Sequence, residues 1–401
     1  MAKGLYEFLE ERGLIYQATD PDKLKEKLNG EPFTFYLGID PTADSIHLGH
    51  FCSLMTFRRL QDAGHRGILL IGGATAQVGD PSGRSDLRQM LTKEQLNKNL
   101  EEVKALCSKY IDADKAIIVN NADWMDKFSY VDFMTQVGRY FTINNMLSME
   151  AYKNRLVEGG LTLMEIGYMP IQANDFSHLN KTYGASMEIG GSDQWGNIVA
   201  GVELVRKTTR NNIMAFTTPL LLNSEGKKMG KSAKGAVWIK EEKFSVYDFY
   251  QYFVNINDKD VPTLLRWFTD IDMKEINKMC TEDIISAKKQ TAFLLTKLVH
   301  GEEKALQAKK TSEEVFGGKG ISENMPQVSI DKKQLSAGIS ITELCVKTKL
   351  CPSTSETRRL IEGGAIYVDE DKITDFKSII SKNKEFVLRK GKKTFLKVVP
   401  E

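Results

Sequence analysis

No stretch of this 401-residue chain is long and apolar enough to cross a bilayer: the longest weakly polar run, Gly67 to Gly79, is too short and too rich in glycine. Lys3, Glu7, Glu10, Glu11 and Arg12 crowd the first turns, which a secretory signal does not tolerate, so a cytoplasmic protein is expected. Cysteine is scarce. The five present are scattered and form no CxxC pair, which argues against a disulfide framework or a zinc ribbon and for buried, inert thiols. Neither sign of charge dominates, with 55 Lys and Arg against 53 Asp and Glu. The content is that of a folded globular chain, 41% hydrophobic and 27% charged, so disorder and collagen are excluded. Its length predicts two or three domains.

The charge is unevenly placed. Residues 331–401 hold 15 Lys and Arg against 10 Asp and Glu, while the remainder is mildly acidic. A basic tail points to an anionic partner there, with a lysine-rich solvated surface as the plainer alternative.

The first 220 residues alternate short apolar runs with helical patterns. Phe33–Ile39, Gly67–Gly72 and Lys115–Val119 read as strands. A helix carrying Leu48, Phe51, Leu54, Met55 and Leu60 lies between the first two and stops near Ala63-Gly64. Such βαβ units predict a parallel sheet covered on both faces, with ligands beyond the carboxyl ends of its strands. From about Lys243 to Phe316 the pattern is helical. The expected domains are 1–222 (Rossmann-like α/β), 223–318 (a lysine-rich loop and an α-helical domain), 319–334 (a linker) and 335–401 (a small α+β domain).

Four constellations carry possible chemistry. His47-Leu-Gly-His50 sits where a helix begins, and a helix N-terminus suits phosphate oxygens. Zinc is the competing chemistry, but no nearby Cys, Glu or third His completes a ligand set. Lys227-Lys-Met-Gly-Lys-Ser232 is a glycine- and lysine-rich loop able to close over a polyphosphate, or else a solvated turn. Thr162-Leu-Met-Glu165 is a capping box, and the helix it starts places Tyr168, Gln172 and Asp175 on one face. Pro170 lies inside that helix, so a bend or a restart near Tyr168 is expected. Finally, Gly72-Gly-Ala-Thr75, Gly79-Asp-Pro-Ser-Gly83 and Gly190-Gly-Ser-Asp-Gln-Trp-Gly-Asn197 are dense loops of the kind that hold nucleotides.

In combination these segments resemble bacterial-type tyrosyl-tRNA synthetases. HLGH and KMGKS match the HIGH and KMSKS signatures of class I aminoacyl-tRNA synthetases, with Leu48 for Ile and Gly230 for Ser. Ser353–Val368 is similar to an S4-like RNA-binding module, and the resemblance extends to about Lys397. It implies activation of tyrosine by ATP, magnesium accompanying the nucleotide, and transfer to tRNA. It also implies a homodimer without prosthetic group or resident metal. By the same resemblance Thr42, His47, His50, Lys228, Lys231 and Ser232 would be catalytic. Asp80, Tyr168, Gln172 and Gln194 would hold the amino acid, and Tyr36 with Asp175 would read its phenol hydroxyl. Asp40, Gly49, His50, Asp193, Arg84 and Arg88 would serve ATP together with Lys231, and Arg358 and Arg359 the tRNA. A tryptophanyl enzyme, or a relative that kept RNA binding and lost catalysis, are the other readings.

Overall fold

A computed structural model of the chain describes residues 4–81, 91–158, 160–232, 235–316, 327–369, 371–391 and 394–401. The chain divides into two compact units, Met1–Lys243 with Asn257–Ala287, and Phe244–Ile256 with Lys288–Glu401.

The first unit is built on a six-stranded sheet. Its strands are β1 (Gln17–Ala18), β2 (Thr34–Ile39), β3 (Arg66–Ile71), β4 (Ile117–Asn120), β5 (Ala185–Gly191) and β6 (Met214–Thr218), in the order β1-β6-β5-β2-β3-β4. All neighbouring pairs are parallel except β1 with β6. The three strands legible in the sequence lie side by side in one half, while β5, β6 and the antiparallel β1 are additions made by the structure. Chain order explains the geometry: β3 and β4 are laid on one side of β2, and the chain then crosses to add β5 and β6 on the other. A sheet wound in two directions from β2 leaves a crevice beyond the carboxyl ends of β2 and β5, the usual ligand position in this architecture.

Six helices set up that crevice: α1 (Leu48–Asp62), α2 (Thr75–Val78), α3 (Lys93–Ser108), α4 (Glu150–Glu158), α5 (Leu163–Tyr183) and α6 (Trp195–Thr209). The expected apolar face of α1 is buried in full, and the helix ends at Ala63 with Gly64 at φ +99°. Thr162 and Glu165 close the capping box of α5, and Gly184 ends it in the left-handed region. Of the bend or restart expected near Tyr168, the restart does not occur; α5 runs unbroken for 21 residues with Pro170 inside it. The missing N–H leaves the Ile166 carbonyl without its ladder donor, and the buried hydroxyl of Tyr152 donates to that oxygen at 3.1 Å instead.

The helical region expected as one domain over 223–318 is divided between the units. Residues 257–287 pack on the sheet-bearing body, where Arg12 donates to the carbonyls of Arg266, Thr269 and Ile271. In the second unit the helix Val246–Val254 pairs with Glu302–Phe316 through the bond from Gln251 to Ser312, 2.7 Å. The expected linker 319–334 also shrinks. Strand Gln327–Ile330 joins Thr394–Pro400 in parallel, at one edge of a five-stranded sheet, and Asp331 caps a helix from Lys332. That sheet and its helices enclose a core of their own, including Ile330, Leu344, Ile366, Phe386, Leu388 and Val398.

Of the cysteines, Cys52, Cys107, Cys345 and Cys351 are buried and Cys280 is partly exposed; none is disulfide-bonded. No helix among the described residues is long and apolar enough to cross a membrane.

Candidate active site

Immediately before α1, His47 acts as the helix cap. Its Nδ1 accepts from the backbone N–H of Gly49 (3.1 Å) and of His50 (3.3 Å). A nitrogen that accepts two such bonds carries a lone pair, so the ring proton sits on Nε2, which is left as the donor. The His50 ring stacks on it, 3.9 Å between centroids and 10° between planes. Adding a Cβ at Gly49 would bring it 3.0 Å from the His47 ring, which accounts for glycine between the two histidines.

The lysine-rich loop is tied to this corner by its backbone. Leu48 N–H bonds the Val237 carbonyl at 3.1 Å, and Val237 N–H bonds that of Gly230. Gly230 has φ +92°, a region that a serine would occupy under strain, so the departure from KMSKS has a backbone reason. Lys228 pairs with Asp193 at 3.2 Å, bringing together two residues 35 positions apart. Lys231 and Ser232 form a short strand against Gly235–Ala236. Arg84 and Arg88 lie outside the described residues.

Deeper in the crevice a hydrogen-bonded chain runs from β2 to α5. Asp40, at the end of β2, accepts from Tyr168 OH (2.9 Å) and Thr75 Oγ1 (2.6 Å). Thr75 in turn accepts from Asn121 Nδ2, 3.1 Å, and the same amide donates to Asp175 Oδ2, 2.9 Å. Trp124 Nε1 reaches the other oxygen of Asp175 at 2.9 Å. Asp40, expected with the nucleotide, is thus bonded to a residue expected with the amino acid. Alongside, Gln194 Nε2 donates to Asp80 at 2.5 Å, and Gln172 Nε2 to Glu188 Oε1 at 3.1 Å. Tyr36 is buried in β2, its hydroxyl facing Glu188 and its ring 5.1 Å from Phe176. Thr42 follows in the turn closed by its N–H on the Asp40 carbonyl, 2.8 Å.

Four participants carry no role in the sequence reading. Thr75 lies inside one of its glycine-rich motifs. Asn121 and Trp124 follow β4, and polar residues after the carboxyl end of a strand were their signal. Glu188 is the one charged residue of β5 and only 2% exposed. Burial pushes the Asp175 carboxyl up to about 8, against the opposing effect of its Asn121 and Trp124 donors, and the Glu188 carboxyl up to about 7. Above the ordinary carboxylate range the folded chain then holds protons that the unfolded chain has lost. Ligand-free stability therefore falls as pH rises from about 4 to about 8. Glu188→Gln, which cannot ionise, is expected to flatten the fall of the melting temperature across the lower part of this window. An unchanged slope would show that Glu188 is ionised throughout.

Among the described residues no group of three or more His, Cys, Asp or Glu side chains is placed to hold a metal ion. In the second unit Arg358 and Arg359 are exposed on the helix Thr354–Glu362, Arg358 with its guanidinium 5.1 Å from the Phe376 ring centroid.

Residues 28–317 match the family model of class I tRNA synthetases (W and Y), and residues 319–398 that of the tyrosine–tRNA ligase SYY-like C-terminal domain. A tyrosine–tRNA ligase of Acetivibrio thermocellus is 46% identical over 403 residues, covering 98% of each chain; tyrosine–tRNA ligase 1 of Clostridium acetobutylicum is also 46% identical, again covering 98% of each. Among solved structures, a C-terminally truncated mitochondrial tyrosyl-tRNA synthetase from Aspergillus nidulans superposes with TM-score 0.68 at 29% identity, over 78% of this chain and 94% of that one. A tryptophanyl-tRNA synthetase from Encephalitozoon cuniculi, at 14% identity and TM-score 0.57 over 76% of this chain and 87% of that one, shares the fold. With a crevice at the sheet's switch point, a capped HLGH corner and full-length likeness at this level, the chain belongs to the tyrosine–tRNA ligases of the class I tRNA synthetase family.

Proposed function

We propose that the crevice activates L-tyrosine in the family's way. A tyrosine carboxylate oxygen attacks the α-phosphorus of ATP, the bond to the bridging oxygen breaks, and pyrophosphate leaves; the terminal ribose hydroxyl of tRNA(Tyr) then attacks the tyrosyl carbonyl, loses its proton, and AMP leaves as the mixed-anhydride bond breaks. No side chain need be modified, so positioning and charge stabilisation supply the rate. The observation that carries the reading is the unbroken bond chain Tyr168–Asp40–Thr75–Asn121–Asp175, which joins a group suited to the ammonium end with one suited to the phenol end.

In this reading Asp80, Tyr168, Gln172 and Gln194 hold the amino-acid head, and Asp175 with Tyr36 the phenol. Nε2–H of His47 and the Thr42 hydroxyl donate to the polyphosphate as the α-phosphorus becomes five-coordinate. Lys228, Lys231 and Ser232 hold the leaving pyrophosphate, with Arg84 and Arg88 assisting; His50 and Gly49 seat the nucleoside and Asp193 the ribose. Magnesium arrives with ATP as part of the substrate. Tyrosine-dependent ATP–pyrophosphate exchange tests the assignment, with tryptophan as the control. Exchange with tryptophan and none with tyrosine would reverse it.

The segment 130–164 exposes Tyr130, Val131, Ile143, Val157 and Leu163, each more than half accessible, a concentration of apolar surface that supports a homodimer. For tRNA, the S4-like module with its basic excess supports phosphate contacts, including Arg358 and Arg359. Its core is made of its own residues, so truncation after Phe316 is expected to spare pyrophosphate exchange and largely abolish tRNA charging. Neutralising both arginines should weaken tRNA binding and reduce its salt dependence. Full charging by the truncated chain would exclude the module from tRNA binding.

A further inference from the structure

In an α-helix the N–H of residue 170 bonds the carbonyl of residue 166. Pro170 has no N–H, and it lies between Tyr168 and Gln172, two of the three polar residues that α5 turns toward the crevice. A ladder gap at this point would free the very turn that the amino-acid pocket depends on.

The gap is filled from outside the helix. Tyr152, on α4 and 1% exposed, donates its hydroxyl hydrogen to Ile166 O at 3.1 Å, with Glu165 O next nearest at 3.3 Å. The hydroxyl oxygen of Tyr152 itself accepts from the N–H of Met169 at 3.3 Å. One hydroxyl thus serves as both donor and acceptor within the ladder, on the two sides of the proline's missing bond. A second anchor lies one turn along the same face of α4. Arg155 Nε meets Glu165 Oε1 at 2.8 Å in a pair with both side chains almost wholly buried, and Glu165 is the acid of the capping box. Positions 152 and 155 are three apart and so share a face. The two contacts clamp the first two turns of α5.

We propose that Tyr152 is a positioning residue for tyrosine binding: its hydroxyl replaces the bond that Pro170 removes and so fixes the register of Tyr168 and Gln172 in the pocket. The hydrogen bonds of Tyr152 go to the α5 backbone, so it acts through the helix, and its role rests on the tyrosine pocket proposed above. A polar hydroxyl is required because a carbonyl left unpaired in a buried site distorts the chain toward any other donor. Pro170 in turn makes Tyr152 necessary, since an amide N–H at position 170 would close the ladder from within.

That dependence gives the test. Tyrosine-dependent pyrophosphate exchange is measured for the unsubstituted chain, Tyr152→Phe, Pro170→Ala and the double variant, with KM for tyrosine and for ATP determined separately. Tyr152→Phe is expected to raise KM for tyrosine about tenfold, leaving KM for ATP within about twofold. Pro170→Ala added to Tyr152→Phe is expected to return KM for tyrosine to within about threefold of the starting value, because the N–H restored at position 170 can then bond Ile166 O. A merely space-filling tyrosine would predict no split between the two substrates and no rescue by a backbone N–H. Unchanged KM for tyrosine in Tyr152→Phe, or a double variant no better than the single one, overturns the proposal. If Tyr152→Phe is too unstable to assay, the double variant decides alone: recovery of fold and of tyrosine KM supports the role, and failure of either overturns it. An unsubstituted chain without tyrosine-dependent exchange would sink the functional reading and this assignment together, whereas a normal chain with an unaffected Tyr152→Phe removes only the latter.

Discussion

Replacing Asp175 with Ala is expected to lower kcat/KM for tyrosine in adenylate formation by roughly two to three orders of magnitude, while changing the residual activity toward phenylalanine far less. The carboxyl is 1% exposed, and both of its oxygens already accept hydrogen bonds, from Asn121 and Trp124 at 2.9 Å each. These donors fix the carboxyl in place, so a substrate hydroxyl that reaches it meets an oriented acceptor. Without that acceptor the phenol hydroxyl is desolvated and left unpaired, at a cost of about 3–4 kcal/mol when the lost bond to the oriented carboxyl is added to the desolvation penalty. At about 1.4 kcal/mol per decade this gives the stated range. Phenylalanine lacks the hydroxyl and loses nothing comparable. The substitution also strands two buried donors, at about 1–3 kcal/mol each, so the melting temperature should fall as well. The checking measurement is the ratio of kcat/KM for the two amino acids. A ratio preserved in Asp175→Ala would mean that the phenol is read elsewhere.

His47 should give the second large effect, and of a different kind. Its Nδ1 caps α1 and its Nε2 carries the ring proton, so one side chain has a structural and a chemical end. His47→Asn retains a good capping oxygen but is too short to carry a donor to the position of Nε2. His47→Ala loses both. Removing one donor aimed at charge that develops in the transition state costs on the order of a hundredfold or more in rate. Both variants are therefore expected to slow adenylate formation by about that factor, with KM for tyrosine and ATP within about threefold of the starting values. Only the alanine variant should melt earlier, by a few degrees, for a cap of about 1 kcal/mol in a body this size. Pre-steady-state rates with thermal melts separate the two ends. A loss confined to KM for ATP would make His47 a ground-state contact.

Much of this could be read along the chain because the relevant physics is local. The apolar face of α1, the capping box at Thr162 and Glu165, and the HLGH and KMGKS segments depend on residues within a few positions of one another. So does the strand–turn–helix order that makes a parallel sheet. Strands β5 and β6 were not legible because glycine, methionine, threonine and a lone acid dilute their apolar pattern; the sheet accepts them through backbone pairing, which the side chains do not advertise.

What only the tertiary structure decided is pairing across the chain. Asp175 meets Trp124 and Asn121 more than 50 positions away, Asp40 meets Tyr168 at a separation of 128, and Lys228 meets Asp193 at 35. Glu188 acquires its raised carboxyl only by burial, which depends on which face of β5 the winding of the sheet covers. The fate of Pro170 was decided in the same way. A proline does remove the ladder bond, as its place in the sequence implies; whether the helix stops depends on what stands beside it, here the hydroxyl of Tyr152. Local propensity thus determined the element types and the motifs carried the resemblance to the family, whereas the partner of each buried polar group was settled by the folded chain, because hydrogen-bond satisfaction is counted in space and not along the sequence.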